Sequence, residues 1–407
     1  MLHNTEQYFS ESAGRMQRSA IREILKLLGN PELISFAGGL PSPETFPVEE
    51  IKEITSYILD KQGASALQYG TTEGDPDLRK MLLRRYNDQG VFVKPENLAI
   101  STGSQQALDL LAKILIDKDD YVLCGLPSYL GGLSAFGVYG ARLEGIPFDE
   151  KGMRPDLLEK AISGLISSGK KIKFIYLIPD FQNPAGITMP ESRRIEILTI
   201  AERHNLLIIE DSPYREIRFE GKPQPLIYEL DKSGRVILLS TFSKIFAPGF
   251  RIAWLLGHPQ IIDKFIMSKQ SADICSPVIV QKIAAEYIKR GLLEKNLAKT
   301  VKLYRERRDL MLKSLEKFMP AGVTWTKPEG GLFLFVTMPE GIDTDLLLPL
   351  AIENNVAFVK GSVFNCDGTG KNTMRLNFSF SDEIQIPIGI KRLAEAIKEM
   401  MPSVSGT

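Results

Sequence analysis

The sequence predicts an α/β fold: a mostly parallel sheet of seven strands in a large domain, followed by a smaller α+β domain. Two observations lead there. Short apolar runs with little polar alternation recur through the middle of the chain, as expected of strands buried on both faces. Stretches with apolar residues at helical spacing separate most of them.

The elements follow in order. The first fifty residues carry one helical stretch, AIREILKLL, and then ISFAGGLPSPETFP, whose glycines and prolines mark an irregular, closely packed strip. The strand candidates are NLAIST (97–102), YVLCG (121–125), RLEGIPF (142–148), KFIYLIP (173–179), LLIIED (206–211), RVILLS (235–240) and RIAWLL (251–256). SQQALDLLAKILI and MPESRRIEILTIAERH are among the helices between them. Only ten residues separate RVILLS from RIAWLL, too few for a helical crossover, so the last strand is expected to run antiparallel. Beyond residue 280 long amphipathic helices lead to GVTWTK, GLFLFVTM, VAFVKG and MRLNFSF, and then to the helix GIKRLAEAIKEMM. The expected division is an N-terminal segment over 1–50, a large domain over 51–285 and a small domain over 286–407.

Composition narrows the function. Of 407 residues, 43% are apolar and 25% charged, and fifty basic side chains balance fifty acidic ones. Bulk charge therefore gives no reason to expect nucleic acid or an anionic membrane as partner, and a small molecule is the expected one. Cys124, Cys275 and Cys366 are scattered and form no CxxC pair, which argues against a disulfide framework or a thiolate zinc site and suits a reducing cytoplasm. There is no apolar N-terminal leader and no run of eighteen apolar residues. Three histidines leave little material for a metal site or a Ser/His/Asp triad. GLISSGKK (164–171) imitates a phosphate loop but follows a helical stretch and ends in lysine, so it is set aside.

Ligands of open α/β sheets bind beyond the carboxyl ends of the strands. After NLAIST, Gly103, Ser104 and Gln105 open a helix whose first N–H groups favour an anion, although Ser104 could equally be a plain N-cap. After YVLCG comes Tyr129, a stacking ring or a core residue. After KFIYLIP comes Asn183 before a proline, which pushes it toward extended geometry. LLIIED ends on Asp211, a carboxylate that needs a partner if buried, and Tyr214 follows. After RVILLS, TFSKIFAPGFR supplies Thr241, Ser243, Lys244 and Arg251. Singly, each has a structural explanation. Together they form an anion cradle, a ring platform, an amide, a carboxylate, a phenol and an amine. That is the set required by a phosphorylated heteroaromatic aldehyde: phosphate on the helix start and guanidinium, ring nitrogen on the carboxylate, aldehyde on the lysine. The inference points to pyridoxal 5′-phosphate, with no metal.

These stretches also resemble the fold-type I, class I/II pyridoxal-phosphate aminotransferases, and within them the 2-aminoadipate and kynurenine aminotransferase branch. SAIREILKLL, ISFAGGLPSPETFP, ALQYGTTEG, TGSQQALDLLAK, LIPDFQNPAG, IIEDSPYRE, STFSKIFAPGFRIA, PEGGLFLF and MRLNFSF carry the resemblance, in order and over essentially the whole chain. It implies that Lys244 forms the Schiff base and then moves the proton between substrate and cofactor. It places Asp211 on the pyridine nitrogen, Asn183 and Tyr214 on the phenolic oxygen, and Tyr129 against the ring. Ser104, Gln105, Thr241, Ser243 and Arg251 would bind phosphate, joined by Tyr69 of a neighbouring subunit in a homodimer with shared sites. Arg375, in MRLNFSF, would grip the substrate α-carboxylate. Gly38 and Gly39 would let backbone approach the substrate. Ser19 and Arg22 match positions that reach the distal end of the substrate in this branch. The implied reaction is ping-pong transfer of an amino group to 2-oxoglutarate, from 2-aminoadipate or glutamate or from a broader range including aromatic and branched donors. One departure is Ala185 of DFQNPAG, where many relatives have threonine.

Two other readings use the same scaffold. One is a carbon–sulfur lyase or a synthase. The other is a regulator with an aminotransferase-like domain behind a winged helix, which the start of SAIREILKLL at residue 19 speaks against.

Overall fold

The computed structural model of the protein describes residues 5–18 and 32–401. The helix expected over AIREILKLL, with Ser19 and Arg22, lies outside the described residues. Along the chain the strands are Ile34–Ser35 (β1), Leu98–Ser101 (β2), Tyr121–Leu126 (β3), Arg142–Asp149 (β4), Gly152–Met153 (β5), Ile172–Leu177 (β6), Leu207–Asp211 (β7), Val236–Thr241 (β8), Ala253–Leu256 (β9), Thr324–Trp325 (β10), Phe333–Thr337 (β11), Val356–Ala357 (β12), Val359–Lys360 (β13) and Thr373–Asn377 (β14).

The large sheet has the order β2-β9-β8-β7-β6-β3-β4-β5. It has eight strands instead of the seven expected, because β4 turns back into the two-residue β5. GM at 152–153 is too short to register as a strand by periodicity. The pairs β3–β4, β3–β6, β6–β7 and β7–β8 are parallel. β9 is antiparallel to both β8 and β2, as the ten-residue connection required. It follows that β2, β3, β4, β6, β7 and β8 all point the same way, and their carboxyl ends share one edge.

Burial explains why these runs are strands. β2, β8 and β9 are buried at every position, so apolar residues are needed on both faces. Side chains still alternate: Phe174 and Tyr176 of β6 pack into the core on one side, Ile175 and Leu177 into the core on the other. The helix Ser104–Leu115 buries Ala107, Leu108, Leu110, Leu111 and Ala112 along one stripe. GLISSGKK falls at the end of the helix Pro155–Ser167, which is not where a phosphate loop would stand.

The second sheet is antiparallel, in the order β10-β11-β14-β13. VAFVKG, expected as one strand, is divided between two sheets. β12 pairs in parallel with β1, β13 pairs with β14, and Phe358 between them is fully buried. The pairing of β1 brings the strip Phe36–Gly39 down beside β14, where the Asn377 N–H donates to the Phe36 carbonyl. Among the described residues no helix is long and apolar enough to cross a membrane.

Candidate active site

The carboxyl edge of the large sheet faces β14 and the Phe36–Gly39 strip, and the titratable groups gather between them. Asp211 is the last residue of β7 and only 3% exposed. Its Oδ2 accepts the Tyr176 hydroxyl at 2.8 Å, while Oδ1 is buried with no hydrogen-bond partner. Burial pushes this carboxyl up to about 6, and the Tyr176 hydrogen bond pulls against it. The partner of Asp211 is thus a phenol, not a cation. The other Asp211 oxygen has no donor among the described residues.

Lys244 follows the end of β8. Its Nζ donates to the Gly39 carbonyl at 2.7 Å. Burial, and then the Arg375 and Arg251 charges, bring the amine down to about 8. Gly39 acts here through its carbonyl, and a side chain at this glycine would touch the Phe333 ring.

Arg375 comes from β14, where its Cα is opposite Phe335 on one side and Val359 on the other. The residue is 1% exposed. Nη1 donates to Asn183 Oδ1 and Nη2 to the Ala37 carbonyl, each at 2.8 Å, and the guanidinium carbon lies 4.1 Å from the Phe333 ring centre and 5.1 Å from that of Phe364. Among the described residues Nε is buried without a partner. No carboxylate among the described residues pairs with this cation. Burial accordingly lowers its pKa to about 10.

Because Arg375 donates to the Asn183 oxygen, the Asn183 Nδ2 faces the other way and donates to the Tyr214 hydroxyl at 3.2 Å. The hydroxyl proton of Tyr214 remains available to a third group, and burial raises the phenol well above its ordinary pKa. The Asn183–Pro184 bond is cis.

At the far end the turn after β2 meets the β8–β9 connection. The N-cap of the helix is Gly103, at φ 83°, and not Ser104, which begins the helix with its hydroxyl buried and without a partner. Gly103 has a steric reason as well: a methyl group there would overlap the Arg251 guanidinium. Arg251, itself left-handed at φ 53°, lies 3.5 Å from Ser243 Oγ, and Thr241 Oγ1 is 2.9 Å from the same oxygen. Gln105 Nε2 donates to the Gly131 carbonyl at 2.8 Å, and the Tyr129 hydroxyl lies 3.5 Å from Gln105 Oε1. Tyr129 also lies close enough to Tyr214 and Arg375 to affect their ionisation.

The predicted residues Gly39, Gly103, Ser104, Gln105, Tyr129, Asn183, Asp211, Tyr214, Ser243, Lys244 and Arg375 therefore converge, with Thr241 and Arg251 completing the cradle. Among the described residues no hydrogen bond joins Tyr69 to them, and it is 78% exposed. Sequence reasoning missed Tyr176, Phe333 and Phe364. Tyr176 carried a signal, since a phenol inside the apolar run KFIYLIP needs a buried acceptor. The two phenylalanines read as ordinary core.

The arrangement fits a phosphorylated pyridine aldehyde. Among the described residues Asp211 Oδ1 and Ser104 Oγ are buried polar atoms without partners, the Gly103 turn lets a guanidinium approach the helix start, and the lysine amine gives up its proton more readily than an ordinary lysine. Comparison with known proteins agrees. Aromatic-amino-acid aminotransferase 1 of Thermococcus litoralis is 49% identical over 397 residues, 97% of this chain and 95% of that protein. The crystal structure of Pyrococcus horikoshii kynurenine aminotransferase, a complex with PMP, superimposes with a TM-score of 0.95 at 47% identity, covering 99% of this chain and 100% of that one. The α-aminoadipate aminotransferase of Thermus thermophilus, solved with N-(5′-phosphopyridoxyl)-L-leucine, gives 0.90 at 38% identity, over 98% and 99%. The family description Aminotransferase class I and II matches residues 32–393. The chain belongs to the class I and II aminotransferases, has their fold-type I architecture, and uses pyridoxal phosphate as its cofactor.

Proposed function

We propose that this aminotransferase passes the amino group of an acidic L-amino acid, 2-aminoadipate or glutamate, to 2-oxoglutarate in two ping-pong half-reactions, and that aromatic and branched donors share the site. The observation that carries the reading is Arg375, a buried guanidinium that has no acidic partner among the described residues and whose charge acts on the Lys244 amine. An isolated buried cation is costly, so the site favours an anion at that point. The α-carboxylate common to amino acids and 2-oxo acids is such an anion, and the planar fork suits it.

When bound, the cofactor supplies an electron sink that makes the substrate Cα–H acidic. The chain's own residues do the rest. Asp211 Oδ1 pairs with the ring nitrogen, and Asn183 and Tyr214 hold the phenolic oxygen. Tyr129 covers one ring face. Ser104, Gln105, Thr241, Ser243 and Arg251 hold phosphate, with Tyr69 of a second copy completing the cradle in a homodimer. Lys244, as a neutral amine, would take the proton from the substrate Cα and pass it to the cofactor, and move it the other way in the second half-reaction. Ser19 and Arg22 meet the substrate's distal end, and Arg22 gives acidic side chains a counter-charge. The relatives support both ranges: the matched proteins are named for aromatic amino acids, kynurenine and α-aminoadipate.

A donor panel of 2-aminoadipate, glutamate, aspartate, leucine, phenylalanine and kynurenine with 2-oxoglutarate tests this, run on the natural protein and on Arg22→Ala. The expected result is a loss confined to acidic donors in the variant. Equal rates for both proteins with acidic donors remove Arg22 from the site.

A further inference from the structure

A polar cluster ties the Gly103 turn to the segment between the helices Pro259–Gln270 and Val278–Lys289. Asp273 is its centre. Oδ2 accepts the Thr102 hydroxyl at 2.6 Å and the Gln106 Nε2 at 2.7 Å, and Oδ1 accepts Lys269 Nζ. Lys269 is fully buried, so the charge of Asp273 is matched in place.

The donor directions follow from this carboxylate. A carboxylate only accepts, so Gln106 must turn its NH₂ toward Asp273 and its Oε1 away. That oxygen accepts the Thr102 backbone N–H at 2.8 Å. Thr102 spends its single hydroxyl proton on Asp273, so the contact of 2.9 Å with Ser276 has Ser276 as donor. The Ser276 carbonyl in turn accepts Gln281 Nε2, and Gln281 Oε1 accepts the Asp75 N–H, both at 2.8 Å. Thr102 is thereby held at both its backbone N–H and its side chain, one residue before Gly103. Ile274, a β-branched residue next to Asp273, adopts φ +63°, a conformation such residues rarely take.

We propose that Asp273 is a positioning residue for phosphate binding: through Thr102 and Gln106 it fixes the turn that presents the Ser104 and Gln105 backbone N–H groups to the cofactor. Anion binding at a helix start depends on aligned N–H groups, and a turn free to rock presents them poorly. This role rests on the reading that the turn holds the cofactor's phosphate.

The test compares three full-length holoenzymes, Thr102→Val, Asp273→Asn and Arg251→Gln, by the rate at which cofactor is lost on dilution. The proteins are also refilled with pyridoxal, which lacks the phosphate. Thr102→Val removes the hydrogen bonds to Asp273 and from Ser276 and keeps the Lys269 pair; Asp273→Asn sets an amide donor against Lys269 or against Thr102 and Gln106, whichever way the amide turns. Loss of a charge-assisted hydrogen bond predicts about tenfold faster release of pyridoxal phosphate in Thr102→Val and more in Asp273→Asn, with pyridoxal retention unchanged. Natural retention of pyridoxal phosphate by Thr102→Val overturns the proposal, and so does equal weakening of both cofactors. Thr102→Val decides the matter alone if Asp273→Asn fails to fold. Arg251→Gln separates the two claims: if it too retains pyridoxal phosphate fully, the cradle assignment fails; if it releases it and Thr102→Val does not, only the role of Asp273 fails.

Discussion

Arg375 Nη1 donates to Asn183 Oδ1 at 2.8 Å, a bond between β14 of the small sheet and the loop after β6 of the large one. It sets the Asn183 amide so that Nδ2 faces Tyr214, and it leaves Nε without a partner. The proposed substrate anchor and the proposed cofactor contact are thus joined by a direct hydrogen bond, and substitutions in the two are expected to be non-additive.

Arg375→Ala is expected to lower kcat/KM by roughly a hundredfold or more for every donor and every 2-oxo acid, because it removes the counter-ion of a group they share. Arg375→Lys recovers little, since an ammonium cannot reproduce the fork. Steady-state kinetics over two chemically different donors checks this; a loss confined to one donor contradicts it.

Asp211→Asn is expected to abolish turnover yet to stabilise the cofactor-free protein. The folded carboxyl sits near 6 against an ordinary value of 3.8, so the folded state holds the proton more tightly than the unfolded state. The natural protein then loses stability relative to the variant as pH rises from about 4 to 6, by on the order of 2 kcal/mol, and the difference stays constant above. Denaturant unfolding at pH 4, 5, 6 and 7.5 measures it. A variant that is less stable at every pH would show that the carboxylate is welcome where it is.

The Lys244 amine titrates near 8, below its ordinary 10.5, so below pH 8 the folded chain carries a buried cation at a cost that disappears as pH rises toward 10.5. Covalent capture of pyridoxal by cofactor-free protein should accelerate with pH and level off above about 8. Arg375 is one cause of the shift, so in Arg375→Gln the midpoint moves up. A midpoint that stays fixed would mean that burial and Arg251 set it without Arg375.

Much of this site is legible in the amino-acid sequence. The connection between RVILLS and RIAWLL forces an antiparallel last strand, and the parallel pairing of β8 with β7 puts Lys244 at the edge where β2, β6 and β7 end. Asp211 is legible because a carboxylate closing an apolar strand needs a partner. That the partner is Tyr176 is not, since nothing in KFIYLIP says which face of β6 looks toward β7's end. Ser104 reads as a cap because Ser is a good N-cap; in the fold Gly103 takes that position through its positive φ, leaving the hydroxyl for another use. Phe333 and Phe364 are invisible because ring faces on a guanidinium come from tertiary packing, and the division of VAFVKG because one apolar run can serve two sheets. The Asp273 cluster is hidden for a related reason: its members, at 102, 106, 269 and 273, are close only once the helices are packed.

Every role proposed for this site depends on Lys244 being the residue that holds the cofactor covalently. Borohydride reduction of the holoenzyme, followed by proteolysis and mass spectrometry, measures it directly. The predicted result is the phosphopyridoxyl mass on the peptide containing TFSKIF, at Lys244, and none on the other lysines. An unmodified Lys244 with the group attached to a different lysine would contradict it.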